Sequence, residues 1–294
     1  MKIFIVMGAG ILIGRFLMTG RIKKWNERLA MLCTLLLIFS MGVMLGQKEN
    51  FLSELSSLGL KSFLFFLIPT LVSIILVYIL TKRFMETLRF RRRRQMIVLF
   101  TLLALVLGLF CGLSGFDPAP VSFLSRHSDM VLYILMFSVG ISIGMHNGIL
   151  KKIRQYHLKI LIIPLGITVG SIIGGLICAV ILGISPAEGA AVASGMGWYS
   201  LAGVTISRLG GAELGSIAFM SNLMREFFSF FLIPIIASRL NNYTCIAPAA
   251  ATSEDTTLPV LLKYTNEETV VLAVLNGILC SFFVPILITF FFNI

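Results

Sequence analysis

The sequence predicts an all-α polytopic membrane protein of about eight transmembrane helices, with two re-entrant or discontinuous segments and inverted repeats. Three observations carry this reading. The 294 residues are 57% hydrophobic and only 13% charged, where a soluble domain carries roughly 25% charged residues. Uncharged runs at 29–47, 62–81, 95–116, 130–150, 160–187 and 269–294 each approach or exceed the ~18 residues a helix needs to cross the hydrocarbon core. The basic residues gather in alternate connections, which is the positive-inside pattern.

Taken in order, the first span is 3–17. It is short and contains Arg15, and it lacks a small-residue cleavage site, so it reads as a span rather than a removed signal peptide. Arg21, Lys23, Lys24 and Arg28 follow it. Lys82, Arg83, Arg89 and the arginines at 91–94 follow span 3, and Lys151, Lys152, Arg154 and Lys159 follow span 5. These clusters hold most of the 24 lysines and arginines, so the net charge of +11 marks topology rather than a nucleic-acid surface. The other connections hold Lys48, Lys61 and Arg126 beside Glu49, Glu54, Asp117 and Asp129. The N-terminus is therefore expected outside, with the connections after spans 1, 3 and 5 cytoplasmic. The run at 91–94 reads as a topology anchor against anionic headgroups.

The first six spans repeat. Gly10-x-x-x-Gly14 recurs as Gly108-x-x-x-Gly112, and FSMGVMLG from Phe39 recurs as FSVGISIG from Phe137, both 98 residues on. Ile68-Pro69 matches Ile163-Pro164, 95 residues on. Each copy has three spans, so the second enters the membrane inverted, as in many secondary transporters. The organisation expected is a first three-span unit (1–82), a basic cytoplasmic loop (83–95), an inverted second unit (96–184) and a transport core (185–294).

The core has a different texture. Residues 189–207 read GAAVASGMGWYSLAGVTIS, and a short polar tract surrounds Asp255. Broken backbone at membrane depth is tolerated only inside protein or along a water-filled cavity. Re-entrant segments are therefore expected at about 186–210, from outside, and about 247–262, from inside. Span 7 (about 213–238) lies between them, and span 8 (about 268–291) leaves both termini outside. A second duplication is suggested by FFLIPI from Phe230 and FFVPI from Phe282, each after a span carrying an asparagine, Asn222 or Asn276.

Candidate functional residues lie in this core. A charge at mid-bilayer costs about 2.5–3.5 kcal/mol on insertion scales, so such residues usually mark a substrate, ion or proton site. On a helical span 7, Gly215, Ala218, Asn222, Glu226 and Ser229 share one face, which turns Glu226 into the bundle; Arg225 lies about 100° away. The alternative is a structural ion pair with Arg208 or a neighbouring Arg225. Asp255 is flanked by Thr252, Ser253, Thr256 and Thr257, hydroxyls suited to unwound backbone or a helix cap, and Pro259 suits a first helical turn. A wholly cytoplasmic loop is the plain alternative. The segment holding Gly195, Gly197, Trp198 and Tyr199 can unwind at its glycines, offer a half-helix N-terminus to a carboxylate and stack aromatic rings on an ammonium; its plain alternative is an interfacial aromatic anchor. No phosphate-binding G-x-x-x-x-G-K-[ST] loop occurs. His127, His146 and His157 lack zinc-protease spacing, and the five cysteines lack metal or redox spacing. An enzyme, a cofactor and a metal are therefore not expected.

Three segments are similar to the bacterial lysine exporter LysO family: ASGMGWYSLAG from Ala193, NLMRE from Asn222 and ATSEDTTLPVL from Ala251. The resemblance is specific over 186–294; the first half matches in span pattern and in the FSxGxxxG segments. It implies an eight-span inner-membrane exporter of L-lysine and analogues such as thialysine, with both ends outside. It also implies functional intramembrane acids at the positions of Glu226 and Asp255. Glu254 and the arginine run at 91–94 are not part of the family's pattern. The expected partners are L-lysine, protons and the lipid bilayer, with no nucleic acid. With the residues read from the motifs, the candidate site residues are Glu226, Asp255, Asn222, Trp198, Tyr199, Gly195, Gly197, Ser253 and Thr256. Other readings of the same residues are a cation/proton antiporter, an organic-anion carrier, or a membrane protein whose acidic pair is structural.

Overall fold

In the computed structural model, residues 2–16, 20–47, 51–85, 96–115, 118–145 and 157–294 are described. The arginine run at 91–94, most of the predicted 83–95 loop, Lys48, Glu49, Asp117, Lys151, Lys152, Arg154 and His146 lie outside them. The described chain is helical throughout: α1 (Lys2–Phe16), α2 (Gly20–Gly46), α3 (Phe51–Phe84), α4 (Met96–Leu113), α5 (Ala119–Arg126), α6 (Ser128–Gly144), α7 (Ile162–Leu182), α8 (Pro186–Ala193), α9 (Tyr199–Gly210), α10 (Ala212–Arg239), α11 (Ile246–Ala249), α12 (Leu258–Tyr264) and α13 (Glu267–Phe292).

The eight expected spans fall on α1, α2, α3, α4, the α5–α6 pair, α7, α10 and α13. Among the described residues α2, α3, α7, α10 and α13 are long and apolar enough to cross a membrane outright. The α5–α6 pair, bent by 63°, counts as a sixth when taken as one span, while Ile5–Phe16 and Phe100–Leu113 are shorter apolar helices. Two helices begin earlier than their uncharged runs: α2 at Gly20 and α3 at Phe51. Long basic side chains allow this, because their stems lie along apolar surface while the charge reaches water. Asn26 in that extra turn is buried; its Nδ2 donates to Ser138 O at 2.7 Å and to Ser142 Oγ at 2.9 Å.

Clustering in space divides the chain into Met1–Phe51 with Arg93–Arg154, and Leu52–Arg92 with Gln155–Ile294. The repeat units follow chain order, whereas these compact units gather the first two helical spans of each repeat into one body and place the third in the other.

In the first body, α1 pairs with α6 and α2 with α4. Gly10 abuts Gly140, and Gly108, its repeat mate, abuts Gly42. Gly14 meets Ile141 as Gly112 meets Val43, and Gly144 meets Ile11 as Gly46 meets Leu109. Every contact has its partner at the 98-residue offset. Contacts advance along both helices of a pair together, so each pair runs parallel. Small residues at these crossings let backbones touch, which is how helices gain packing energy where lipid is as apolar as the side chains.

In the second body, α3 and α7 run antiparallel: Gly166 faces Val77, Gly170 faces Ser73 and Gly174 faces Pro69. Pro69 interrupts the α3 hydrogen-bond ladder. Ser73 Oγ lies there, 2.7 Å from Pro69 O, 3.2 Å from Ile167 O and 3.2 Å from Ser171 Oγ. Two contacts fix the direction of α10. Lys61 near the start of α3 meets Glu213 at 2.7 Å, and Asn241 past the end of α10 donates to Thr81 near the end of α3 at 3.1 Å. Thus α10 runs alongside α3, from what we call end A to end B.

Candidate functional site

Two helical hairpins enter this body from opposite ends. The chain leaves α7 at end A, where Cys178 Sγ lies 3.4 Å from Leu64 O near the start of α3. The α8–α9 hairpin must return to that end, because α10 starts there. Its first limb is set by a capping box: Ser185 Oγ accepts from Glu188 N–H, and the Glu188 carboxylate accepts from Ser185 N–H. The second hairpin, 243–264, starts and finishes at end B. Tyr243 OH donates to Glu268 in the first turn of α13 at 2.8 Å, and α13 then runs to end A, where Phe292 packs on Gly210. The re-entrant segments expected at 186–210 and 247–262 correspond to these hairpins. The second is not simply extended; it winds through α11, a 3₁₀ turn at Ala250–Glu254 and α12.

The tips meet. Ala251 N–H donates to Met196 O at 3.0 Å. Met196 (φ 45°) and Ala250 (φ 51°) are the two non-glycine residues with positive φ among the described residues, and Gly197 follows at φ 94°. Non-glycine residues enter this region only at a cost of order 1–3 kcal/mol, and persist where surrounding contacts over-determine them. Those contacts come from α10 and α13. Asn222 Oδ1 accepts from Gly197 N–H at 2.7 Å, while its Nδ2 donates to Val192 O and Ala218 O. A Cβ on Gly195 would lie 2.7 Å from Asn222 Cγ, so only glycine admits this approach. Asn276 does the same for the second hairpin, donating to Ala250 O at 2.9 Å and Ser253 Oγ at 3.0 Å.

At the crossing stands Glu226, 2% exposed. The face expected from the spacing is buried along its length, at Gly215, Ala218, Asn222, Glu226 and Ser229. Glu226 Oε1 accepts from Thr256 Oγ at 2.6 Å, and its Oε2 is buried without a partner. The same Thr256 hydroxyl lies 3.3 Å from Asp255 Oδ1, which also accepts from Thr256 N–H at 2.6 Å. One hydroxyl therefore bridges two carboxylates. With a single hydrogen it donates to one of them at a time. No basic side chain pairs with either carboxylate among the described residues. Arg208 is exposed at end A. Buried Arg225 turns away, to Ser171 Oγ at 2.9 Å and to the carbonyls of Pro248 and Ala247 at 3.1 Å each.

The other expected site residues divide. Tyr199 lies edge-on to Phe219, 5.4 Å between centroids. Trp198 is 37% exposed and occupies the N-cap position of α9, where no side chain caps the helix. Asn222, Gly195 and Gly197 shape the first tip. Ser253 faces away from the carboxylates: its Oγ donates to Ala273 O at 2.7 Å. The sequence reading missed the work of Arg225, which ties the second hairpin to α7, and of Asn276, noted only as a repeat mark. Arg225 had a readable signal: a basic residue inside an apolar span must find acceptors.

A family model described as "Lysine exporter LysO" matches residues 102–292, which include both hairpins and the two helices that hold them. The chain belongs to this family. It is 38% identical over 186 residues to the "Lysine exporter LysO" of Escherichia coli, covering 63% of this chain and 61% of that protein. It is 37% identical over 161 residues to a "Putative lysine exporter" of Haemophilus influenzae, covering 55% of this chain and 82% of that protein. The chain thus aligns with about three-fifths of the E. coli relative's length. No solved structure matches it. The family match and the apolar helices together make it a multi-pass membrane protein of a transporter family.

Proposed function

We propose that this chain exports L-lysine, and analogues such as thialysine, across the bacterial inner membrane by exchange with protons, with both termini outside. The observation that carries the reading is Glu226 Oε2, a carboxylate oxygen buried without a partner at the crossing of two broken helices. A bound ammonium supplies the missing donor. Glu226 and Asp255, joined through Thr256, hold an ammonium group of lysine, and Tyr199 and Trp198 border it. The uncapped N-terminus of α9, with its partial positive charge, receives the substrate carboxylate. Asn222, Gly195, Gly197 and Ser253 act by holding the tips in place.

Charge transfer sets the coupling. Moving one positive charge outward against an inside-negative potential costs about 2.3 kcal/mol per 100 mV. Exchange of one lysine cation for one proton cancels that cost and leaves the pH gradient as the drive. The absence of a basic partner for Glu226 among the described residues speaks against a purely structural ion pair. A lysine-loaded proteoliposome tests the reading: an imposed pH gradient, acidic on the side to which lysine is exported, should accelerate efflux of labelled lysine. Efflux indifferent to the gradient removes proton antiport. Inhibition by Na⁺ or organic anions without competition by lysine favours the cation or anion carriers instead.

A further inference from the structure

The two hairpins are related by one sequence offset. Met196 and Ala250, the two positive-φ residues, lie 54 apart. Asn222 and Asn276, which hold the two hairpins, are also 54 apart. Since α10 runs from end A to end B and α13 runs back, a local two-fold axis passes between the tips. The same offset carries Glu226 onto Cys280.

The place on α13 that corresponds to Glu226 is therefore filled by a buried thiol, and a different carboxylate reaches it. Glu254 Oε1 accepts from Ser281 Oγ at 3.1 Å. The residue is pressed into a notch at Gly277, where a Cβ would lie 2.7 Å from Glu254 Cγ and 2.8 Å from its N. Glu254 Oε2 is buried and has no partner. Asp255 on its own segment and Cys280 on α13 are titratable neighbours whose charges act on it. Asp255, the next residue, turns the opposite way toward Thr256 and Glu226. Two carboxylate sites thus stand on opposite sides of one short 3₁₀ turn.

We propose that the Glu254 pocket is the coupling-ion site, taking the counter-transported proton separately from the lysine site at Glu226 and Asp255. This rests on the proton-antiport reading and specifies where the proton is held. The ligand chemistry favours a proton. One carboxylate and one hydroxyl are too few oxygens to replace the water shell of a metal cation. A protonated carboxyl suits the pocket: Oε1 accepts from Ser281 and Oε2 carries the hydrogen. Coupling follows from adjacency. A cation against Asp255 weakens the field that holds a proton on Glu254, and a proton on Glu254 weakens the field that attracts the cation. This mutual exclusion is reciprocal, and it is what exchange requires.

The test is Glu254→Gln in proteoliposomes, reading lysine counterflow and net efflux driven by a pH gradient. Net efflux should fall at least about tenfold further than counterflow, a coupling loss of the size one site can carry. Equal losses, or pH-driven efflux intact, overturn the proposal. Wild-type efflux that follows a Na⁺ gradient instead of a pH gradient overturns the choice of ion. Wild-type efflux that ignores the pH gradient removes the antiport reading itself, a result seen without any variant. Should Glu254→Gln fail to accumulate, Ser281→Ala decides. Losing a hydroxyl that favours the ionised carboxylate should move the pH profile of net efflux upward, and an unmoved profile overturns the assignment.

Discussion

The two bodies of this protein use the same device to opposite ends. In each, duplicated helices face one another across a local two-fold axis. The first, around α1, α2, α4 and α6, buries no charged side chain among its described residues; its interior polar groups are such as Asn26, Thr34, Ser40 and Ser138. Its helices are joined at glycines whose neighbours are backbone atoms. The second breaks its helices and buries Arg225, Glu226 and Glu268. The difference teaches what broken backbone is for. An intact helix satisfies its own peptide groups and offers none to a ligand, whereas the tips at Met196 and Ala250 bring carbonyls, amide groups and a threonine hydroxyl to charged side chains. Duplication makes a scaffold in one place and a buried polar centre in the other.

The comparison predicts that damage to the two bodies is read by different measurements. The largest effect is expected in the first. Gly108→Val places a side chain against the backbone of Phe39, and backbone cannot move aside as a side chain can. Overpacking of this kind costs about 3 kcal/mol or more. Membrane abundance should collapse, measured by immunoblot of washed membranes. Gly8→Val is the control, since a Cβ there meets nothing within 4 Å. If Gly108→Val accumulates like the control, the interlocked glycines do not hold that body together.

Glu226→Gln inverts the pattern. The amide keeps the shape and can still bond Thr256, so abundance and detergent thermostability should stay near wild type. Lysine export should fall on the order of 100-fold, as expected for losing a charge-assisted bond of roughly 1.5–3 kcal/mol. Loss of abundance along with transport would instead mark Glu226 as a structural residue.

Legibility in the sequence follows the same division. Glu226 was readable because a carboxylate is conspicuous in apolar surroundings and helical spacing names its face. The repeat was readable from Gly10, Gly42, Gly108 and Gly140, and the structure sets these four against one another in matched pairs. What stayed hidden is which helices share a body. Lipid-facing and protein-facing surfaces are equally apolar, so nothing in composition says that α3 and α7 pair with each other and share a body with the hairpins. Imperfections were hidden too. Ser138 bonds Asn26, yet its repeat mate Ser40 is buried without a partner, because Leu124 stands where Asn26 would recur. The strained tips leave no trace in residue type either: nothing about Met196 or Ala250 announces a positive φ.

The smallest effect expected is the most informative about the site itself. Thr256 Oγ lies between Glu226 and Asp255, and its one hydrogen can serve one carboxylate at a time. The two acids therefore behave as a linked pair: a cation that takes over one of them frees the hydroxyl for the other. Thr256→Val keeps the branched shape and deletes the link. Transport should fall about tenfold, the low end of what a hydrogen bond to a charged group contributes, and Thr256→Ser should restore most of it. Packing alone would give the reverse order, because valine fills the volume better than serine does. If valine transports as well as threonine, Glu226 and Asp255 act independently, and the contrast between a neutral scaffold and a coupled acidic centre reduces to the single carboxylate on α10.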